Sequence, residues 1–471
     1  MTEAWLENKT YDEIKVGDSA HILRNMTQRD IELFAVVSGD INPAHLDESY
    51  ARDSTFHGLI AHGLFGGALI SAVLGTKLPG PGTIYVDQDL KFLHPIRPDD
   101  TVDVTVTVLS KQDEKKKIVL ECTAVNQDGK DVIKGNATVI APTEKIKRKV
   151  RGLPEVEVLH HDRLSILIEE AKKQTPQRTA VVHPCDEVSL EGMDAAAKEG
   201  LIIPVLVGPE PKIRATAEAL KIDLKNYQIV HTPHSHAAAI EAVNLARDGK
   251  VSALMKGSLH TDEIMHAVVH KELGLRTERR MSHVFVMDVP TYKWPLLITD
   301  AALNIAPDLL VKADICQSAI YLAHDLGLPQ PKLALLAATE SVNVAMQATL
   351  DAAALCKMAD RGQITGGILD GPLAFDNAIS AVAAKIKKIT SPVAGQADVL
   401  VVPNIESGNM LAKQLSYLAA AESAGVVLGA RVPIILTSRA DNAQARLASS
   451  ALAVMSAAGD RKRAAAAAGK G

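Results

Sequence analysis

A chain of 471 residues exceeds what one hydrophobic core usually organises, so about two to four domains are expected. Its 51 basic and 56 acidic residues leave a net charge of −5, which removes the electrostatic case for nucleic acid or an anionic membrane as partner. Aromatic residues make up only 3 %, too few for base-stacking platforms.

The opening "MTEAWLENKTYDE" is polar and acidic and predicts no signal peptide. Thr27 and Asp30 read as a capping box, and Ile31, Phe34 and Val37 repeat at helical spacing until Gly39 stops the helix. That short helix delivers Asp40 at its end. In "SGDINPAHLDE" (38–48), Pro43 pushes Asn42 out of helical geometry, and the Asn-Pro turn brings Asp40 and His45 round towards each other. The stretch 54–76 has no Asp, Glu, Lys or Arg, yet its five glycines, two histidines and charged flanks predict a helix buried on all sides by protein rather than a membrane span. After "LPGPG" (78–82) the pattern turns to period two, with Val102, Val104, Val106 and Val108, then Ile118, Leu120 and Cys122, and an Asp-Gly turn in "NQDGK". One helix wrapped by a curved antiparallel sheet accounts for residues 1–145.

Residues 146–162 mix charge and proline without periodicity and are read as a linker, part of which is open to an edge-strand reading. From 163 to 458, continuous apolar runs such as "TAVVHP", "LIIPVLVGP", "VSALMKG", "ADVLVVPN" and "VPIILTS" alternate with amphipathic helices, the pattern of strands buried on both faces of a mostly parallel sheet. In such sheets ligands gather at the carboxyl ends of strands. Residues 459–471, "GDRKRAAAAAGKG", are low in complexity and read as a frayed tail. The scattered Cys122, Cys185, Cys316 and Cys356 form no metal-ligand spacing and suit buried thiols in a reducing cytoplasm. No metal site is expected.

Two titratable groups of different basicity facing one cavity divide water activation and proton donation, although spacing alone also fits a capping aspartate. "FAVVSGDINPAHLDESYA" together with "IAHGLFGGALISAVLGTKLPGPGTIYVDQDLKFLHPIRPDDTV" resembles the MaoC-like, (R)-specific enoyl-CoA hydratases over roughly the first 145 residues. The resemblance implies a hot-dog fold, with Asp40 and His45 adding water across the 2,3-double bond of a trans-enoyl thioester. It places Ser71 where the family has a hydroxyl that helps hold the site, and the Gly63 N–H against the thioester oxygen, where enolate charge develops. His57 and His62 are read as packed or turn histidines.

The second half lacks dinucleotide and nucleoside-triphosphate glycine motifs and nucleophile elbows. In "IILTSRADNAQARLASSALAV", Ser438 and Asp441 fit helix caps, whereas Arg439 at the end of a buried strand calls for an anion. "LMKGSLHTDE", "HKELGLRTERRMSHVFVMDVP", "ITDAALNIAPD", "LDGPLAFDNAIS", "VVPNIESGNMLAKQL" and "LTSRADNAQARLAS" resemble, in order, the phosphate acetyl/butyryltransferase family, several of them its butyryl-type branch. That implies acyl-CoA plus phosphate giving acyl phosphate plus CoA. Ser438 and Arg439 then fall in the cleft, with Arg439 on phosphate or the tetrahedral intermediate. Asp441 is the nearest carboxylate to serve as base, because the acetyl-type aspartate position is Ala445 here. Arg276 is a second anion-binding candidate, with Arg279 and Arg280 its solvated neighbours. Asn409 and Lys413 are expected to approach phosphate through the amino end of their helix. Asp300 and Asn304 are read as turn residues.

The expected architecture is thus an α+β hot-dog domain followed by a two-lobed α/β domain with mostly parallel sheets. The expected substrates are coenzyme A thioesters, phosphate and acyl phosphate, with no permanently bound cofactor. A cytoplasmic homodimer or larger homo-oligomer is expected. The alternative reading is a phosphotransacylase whose hot-dog domain is a non-catalytic acyl-CoA-binding or oligomerisation module, and a hot-dog thioesterase is a third.

Overall fold

The computed structural model describes residues 5–150, 152, 154, 156, 158, 163–437 and 442–468. The chain divides into two compact units, Met1–Val158 and Leu159–Gly471.

In the first unit a five-stranded antiparallel sheet runs in the order Ser19–Asn25, Thr101–Gln112, Lys117–Asn126, Asp131–Ile140, Ile84–Phe92. The period-two valines Val102, Val104, Val106 and Val108 are buried and pair against a strand whose Leu120, Cys122 and Ala124 face the same core. Alternation along each strand therefore sends one row of side chains towards the helix Gly63–Thr76. That helix buries Gly66, Leu69, Ile70, Val73 and Leu74, the spacing of one helical stripe. A Cβ on Gly66 would lie 2.0 Å from Ile133 Cδ1, so glycine there sets how closely helix and sheet approach. The expectation of burial on every side is corrected: Leu64 is 67 % exposed and Ala68 and Ser71 also lie open, because one sheet covers only one stripe. Among the described residues no helix is long and apolar enough to cross a membrane.

The sequence boundary at 146 also shifts. Lys147–Lys149 pairs antiparallel with Trp5–Glu7, so the start of the expected linker belongs to the first unit as an edge ribbon.

In the second unit eleven strands form one sheet, ordered from Gln228–His231 at one edge to Ile368–Leu373 at the other. Seven neighbouring pairs are parallel among the described residues. The three antiparallel pairings are made by Ser282–Asp288 and Glu422–Leu428 in the middle, and they join two parallel wings. The two lobes read from sequence are therefore wings of one continuous sheet.

The tail also departs from expectation. Helix Ala443–Ala468 runs through residues 459–468 of the segment read as frayed. Alanine is the best helix former, and Arg461 donates to Gln177 Oε1 at 2.8 Å while Arg463 forks onto Asp325 at 2.7 and 2.9 Å. Side chains hidden in a low-complexity segment anchor it.

Candidate active sites

The helix Gln28–Ser38 begins at a capping box between Thr27 and Asp30 and ends at Gly39, whose φ of 76° turns the chain left-handed. Asp40 follows immediately, its Oδ1 accepting the Asn42 N–H at 3.2 Å. The Asn-Pro element is a short helix, Pro43–Leu46, rather than a bare turn: Asn42 caps it and Pro43 occupies a first-turn position where no N–H is needed. His45 is thereby carried inward to 8 % exposure.

His45 Nδ1 lies 2.8 Å from Ile60 O, so this nitrogen carries the proton and Nε2 keeps its lone pair. His62 holds the other half of the arrangement. Its Nε2 donates to the Asp40 backbone oxygen at 2.9 Å, and its ring lies on that of His45 with centroids 3.8 Å apart. Phe34 packs against His62 at 5.1 Å and against Phe65 at 5.1 Å, closing the apolar side. His62 Nδ1 is buried without a partner. One ligating atom from each of Asp40, His45 and His62 falls within 4.8 Å of the others. The two rings are tilted by 31°, and His45 Nδ1 and His62 Nε2 are each turned to a backbone oxygen, which leaves one nitrogen of each ring beside the Asp40 carboxylate.

Gly63 opens the central helix directly after His62, and a first-turn N–H has no acceptor within its own helix. Its missing side chain matters, since a Cβ would sit 3.2 Å from the Phe92 ring and narrow the approach to that N–H. Ser71 is not brought to this cluster: it stands eight residues further along the helix, about 12 Å of rise, and is exposed.

In the second unit a cavity of about 1090 Å³ lies beside the carboxyl ends of Ala253–Lys256 and Ile434–Ile435. Lys256, His283, Asn409, Lys413, Thr437 and Asn442 are among its lining residues. Ser438, Arg439 and Asp441 lie outside the described residues, but their described flanks, Thr437 and Asn442, both line the cavity. Asn409 and Lys413 do reach it, one turn apart on Ile405–Leu418, and the first two residues of that helix, Ile405 and Glu406, line the cavity as well, while Asn404 caps the Ser407 N–H at 3.0 Å.

The sequence profile of the phosphate acetyl/butaryl transferases matches residues 232–454, and that of the MaoC like domain matches residues 14–129. A phosphate acetyltransferase of Rhizobium meliloti is 59 % identical over 299 residues, covering 64 % of this chain and 94 % of that protein. The chain belongs to the phosphate acetyl/butyryl transferase family. A branched-chain phosphotransacylase from Enterococcus faecalis V583 superposes with a TM-score of 0.52 at 29 % identity, covering 59 % of this chain and 99 % of that one. The R-hydratase PhaJ1 from Pseudomonas aeruginosa is 41 % identical, covering 33 % of this chain and 99 % of its own length, with a TM-score of 0.32. The chain therefore carries a MaoC-like domain ahead of a phosphate acyltransferase domain.

Arg276 is absent from the transferase cavity. It is exposed and bridges to Ala430, while the next residues, Thr277 to Arg279, line a separate cavity of about 450 Å³. Of the two expected solvated neighbours, Arg280 is exposed and Arg279 is half-buried. Arg279 stacks on Tyr321 at 4.5 Å and donates to its hydroxyl at 3.0 Å, and Arg280 Nε donates to Asn304 Oδ1 at 3.2 Å. Asp300 accepts N–H groups of His283, Ala302, Leu303 and Asn304 at 3.0–3.2 Å, a carboxylate spent on shaping its loop.

Sequence reasoning missed Lys256 and Arg446, each 8 % exposed, and His283, 2 % exposed, all in or beside the transferase cavity. Burial drives the His283 imidazole down from its ordinary 6.5 to about 4, against the pull of Asp300. A depressed folded value means that the neutral ring is kept in the fold and the unfolded chain takes up the proton first. Stability from this site is therefore whole above pH 6.5 and is lost as pH falls towards about 4. Urea-unfolding midpoints of the wild type should fall across that window, and those of His283→Phe should fall less; parallel slopes would assign the pH dependence elsewhere.

Proposed function

We propose that the MaoC-like domain hydrates a trans-2-enoyl-CoA to the (R)-3-hydroxyacyl-CoA, and that the transferase domain moves an acyl group between CoA and phosphate. The observation that carries the first half is the clustering of the Asp40 carboxylate and the His45 Nε2 lone pair close to the helix start at Gly63. Asp40 and His45 together take a proton from water as its oxygen adds to C3. The pair returns one proton to C2, and the intervening enolate oxygen is held by the Gly63 N–H and the amino end of its helix. A binding module needs no such pair.

In the second half, a phosphate oxygen adds to the thioester carbonyl carbon, the C–S bond breaks, and the departing sulfur takes up the proton that phosphate gives up. The 59 % identity to a phosphate acetyltransferase supports acetyl transfer ahead of butyryl transfer. Arg439, Ser438 and Asp441 keep the roles that their motif implies. Neither reaction calls on a permanently bound cofactor, and both suit the cytoplasm, where the four free cysteines stay reduced.

A homo-oligomer completes this reading. The sheet edge Ile84–Phe92 is exposed along most of its length, with Ile84, Tyr85, Val86 and Phe92 open beside the uncovered stripe of the central helix. An apolar edge strand of that length invites pairing, and a second copy of the chain offers the same edge.

The test uses purified full-length protein, crotonyl-CoA for loss of the conjugated double bond, and acetyl or butyryl phosphate plus CoA for thioester formation. Chiral separation of the hydrated product reads the (R) configuration. Thioester formation without hydration would leave the first domain as an acyl-CoA-binding or oligomerising module.

A further inference from the structure

His283 sits near the start of the strand Ser282–Asp288, 2 % exposed, yet it forms part of the wall of the transferase cavity. Phe285, two positions along, faces the same way and lines the cavity with it, the two rings meeting edge to face at 4.4 Å. The neighbouring strand makes room for the imidazole: a Cβ on Gly425 would lie 2.8 Å from Nε2 and 3.0 Å from Cε1.

The two ring nitrogens differ in their surroundings. Nδ1 is sealed and has no hydrogen-bond partner. Asp300, whose charge acts on this ring, spends its carboxylate on the N–H groups of His283, Ala302, Leu303 and Asn304 and on the Asn304 amide. Nε2 makes no hydrogen bond with the described residues either, but it is not sealed, so it is the nitrogen that the cavity reaches. A neutral imidazole has one proton to place. On Nδ1 it would be a buried N–H without an acceptor, the costlier arrangement, so it sits on Nε2. Burial pushes the ring's pKa down to about 4, which keeps it neutral and makes it too weak a base for a thiol. What remains is a neutral donor turned to the cavity.

We propose that His283 is a catalytic residue of the transferase domain, its Nε2–H donating a hydrogen bond to the acyl carbonyl oxygen. This role rests on the transferase reading and adds a residue to it. As a phosphate oxygen adds to the carbonyl carbon, the C=O electron pair moves onto the carbonyl oxygen, and Nε2–H holds the oxyanion. The pair returns as the C–S bond breaks, and the sulfur leaves with the proton that phosphate gives up, so His283 keeps its own proton throughout. A neutral donor beside an aromatic ring suits an oxygen that is uncharged in the substrate and charged only in the intermediate, because the bond strengthens as the charge develops.

Steady-state transfer by the full chain tests this with His283→Phe and His283→Gln. Loss of the donor in His283→Phe should lower kcat about 10²- to 10³-fold and leave KM for acetyl phosphate and for CoA within about threefold. His283→Gln keeps a neutral N–H and should recover part of the loss, whereas a role in packing alone would favour phenylalanine. The ratio of wild-type to His283→Phe rates should hold constant from about pH 6 to 9, since the ring does not titrate there. Nitrogen-15 spectra of histidine-labelled wild type should show a neutral ring protonated at Nε2, missing from the His283→Gln spectrum and shifted by acetyl-CoA. A kcat within about threefold of wild type in a folded His283→Phe, a rate ratio that collapses across that pH range, or a proton on Nδ1 overturns the assignment. A wild type that transfers nothing removes the transferase reading and this role with it, whereas an active wild type matched by His283→Phe overturns the role alone.

Discussion

Replacing Asp40 by asparagine should lower enoyl-CoA hydration about 10²- to 10⁴-fold and leave phosphate-dependent acyl transfer unchanged. Asparagine keeps the size of the side chain and an oxygen for the Asn42 N–H, so the loop after Gly39 holds its course. What disappears is the negative charge and the capacity to take up a proton. His45→Gln should act in the same range, because the Ile60 carbonyl still finds a donor while the Nε2 lone pair is gone. His62→Phe is the informative comparison. Its ring still packs between Phe34 and His45, but the hydrogen bond to the Asp40 backbone is lost, so kcat should fall by less than in Asp40→Asn with KM little changed. Spectrophotometric hydration assays and transfer assays on the same preparations check all three. If Asp40→Asn abolished both activities, two separate sites would be the wrong description, and if it left hydration unchanged, Asp40 would not be part of the acid/base pair.

The contrast between His45 and His62 shows where sequence stops informing. Asp40 and His45 are legible because a glycine stop, an Asn-Pro element and a five-residue spacing constrain the local path. His62 stands seventeen residues beyond His45 in front of a helix, where a packed ring and an active one leave the same local pattern. Only the fold of the sheet brings the two imidazoles to 3.8 Å. The strands themselves were readable, since alternation from Val102 to Cys122 tracks the buried face and the uniform runs of the second unit track a two-sided sheet.

The surroundings of charged residues were the least legible part of the sequence. Lys256 and Arg446 stand out in no local pattern, yet both are buried in or beside the transferase cavity. Arg461 and Arg463 look like a basic tail and instead pin a helix. Arg276 shows the reverse error, an anion-binding expectation that ends in an exposed bridge. For Arg276, Arg461 and Arg463 the missing fact is the partner, Ala430, Gln177 or Asp325, which lies scores of positions away and leaves no trace in the local pattern.

Lys312 and Asp351 form the most demanding pair of that kind, and removing one member should cost the second unit about 3–5 kcal/mol. The Lys312 Nζ meets Asp351 Oδ2 at 2.6 Å with both side chains 7 % exposed, between helices Leu309–Asp325 and Gln347–Asp360. Gln347 supplies the remaining carboxylate oxygen with a donor at 2.8 Å. Lys312→Met keeps the aliphatic stem and strands the carboxylate in a largely buried site, so the penalty is desolvation of an unpaired charge rather than loss of one contact. Heat-inactivation of transfer activity should shift down by roughly 5 °C or more, while the first unit, which shares no part of this pair, keeps its own transition. The double variant Lys312→Met/Asp351→Leu should recover most of the loss, because an apolar pair of similar volume leaves no charge to desolvate. A single variant that unfolds within about 0.5 kcal/mol of the wild type would mean that Asp351 finds another partner or takes up a proton, and the pair would then be incidental to stability.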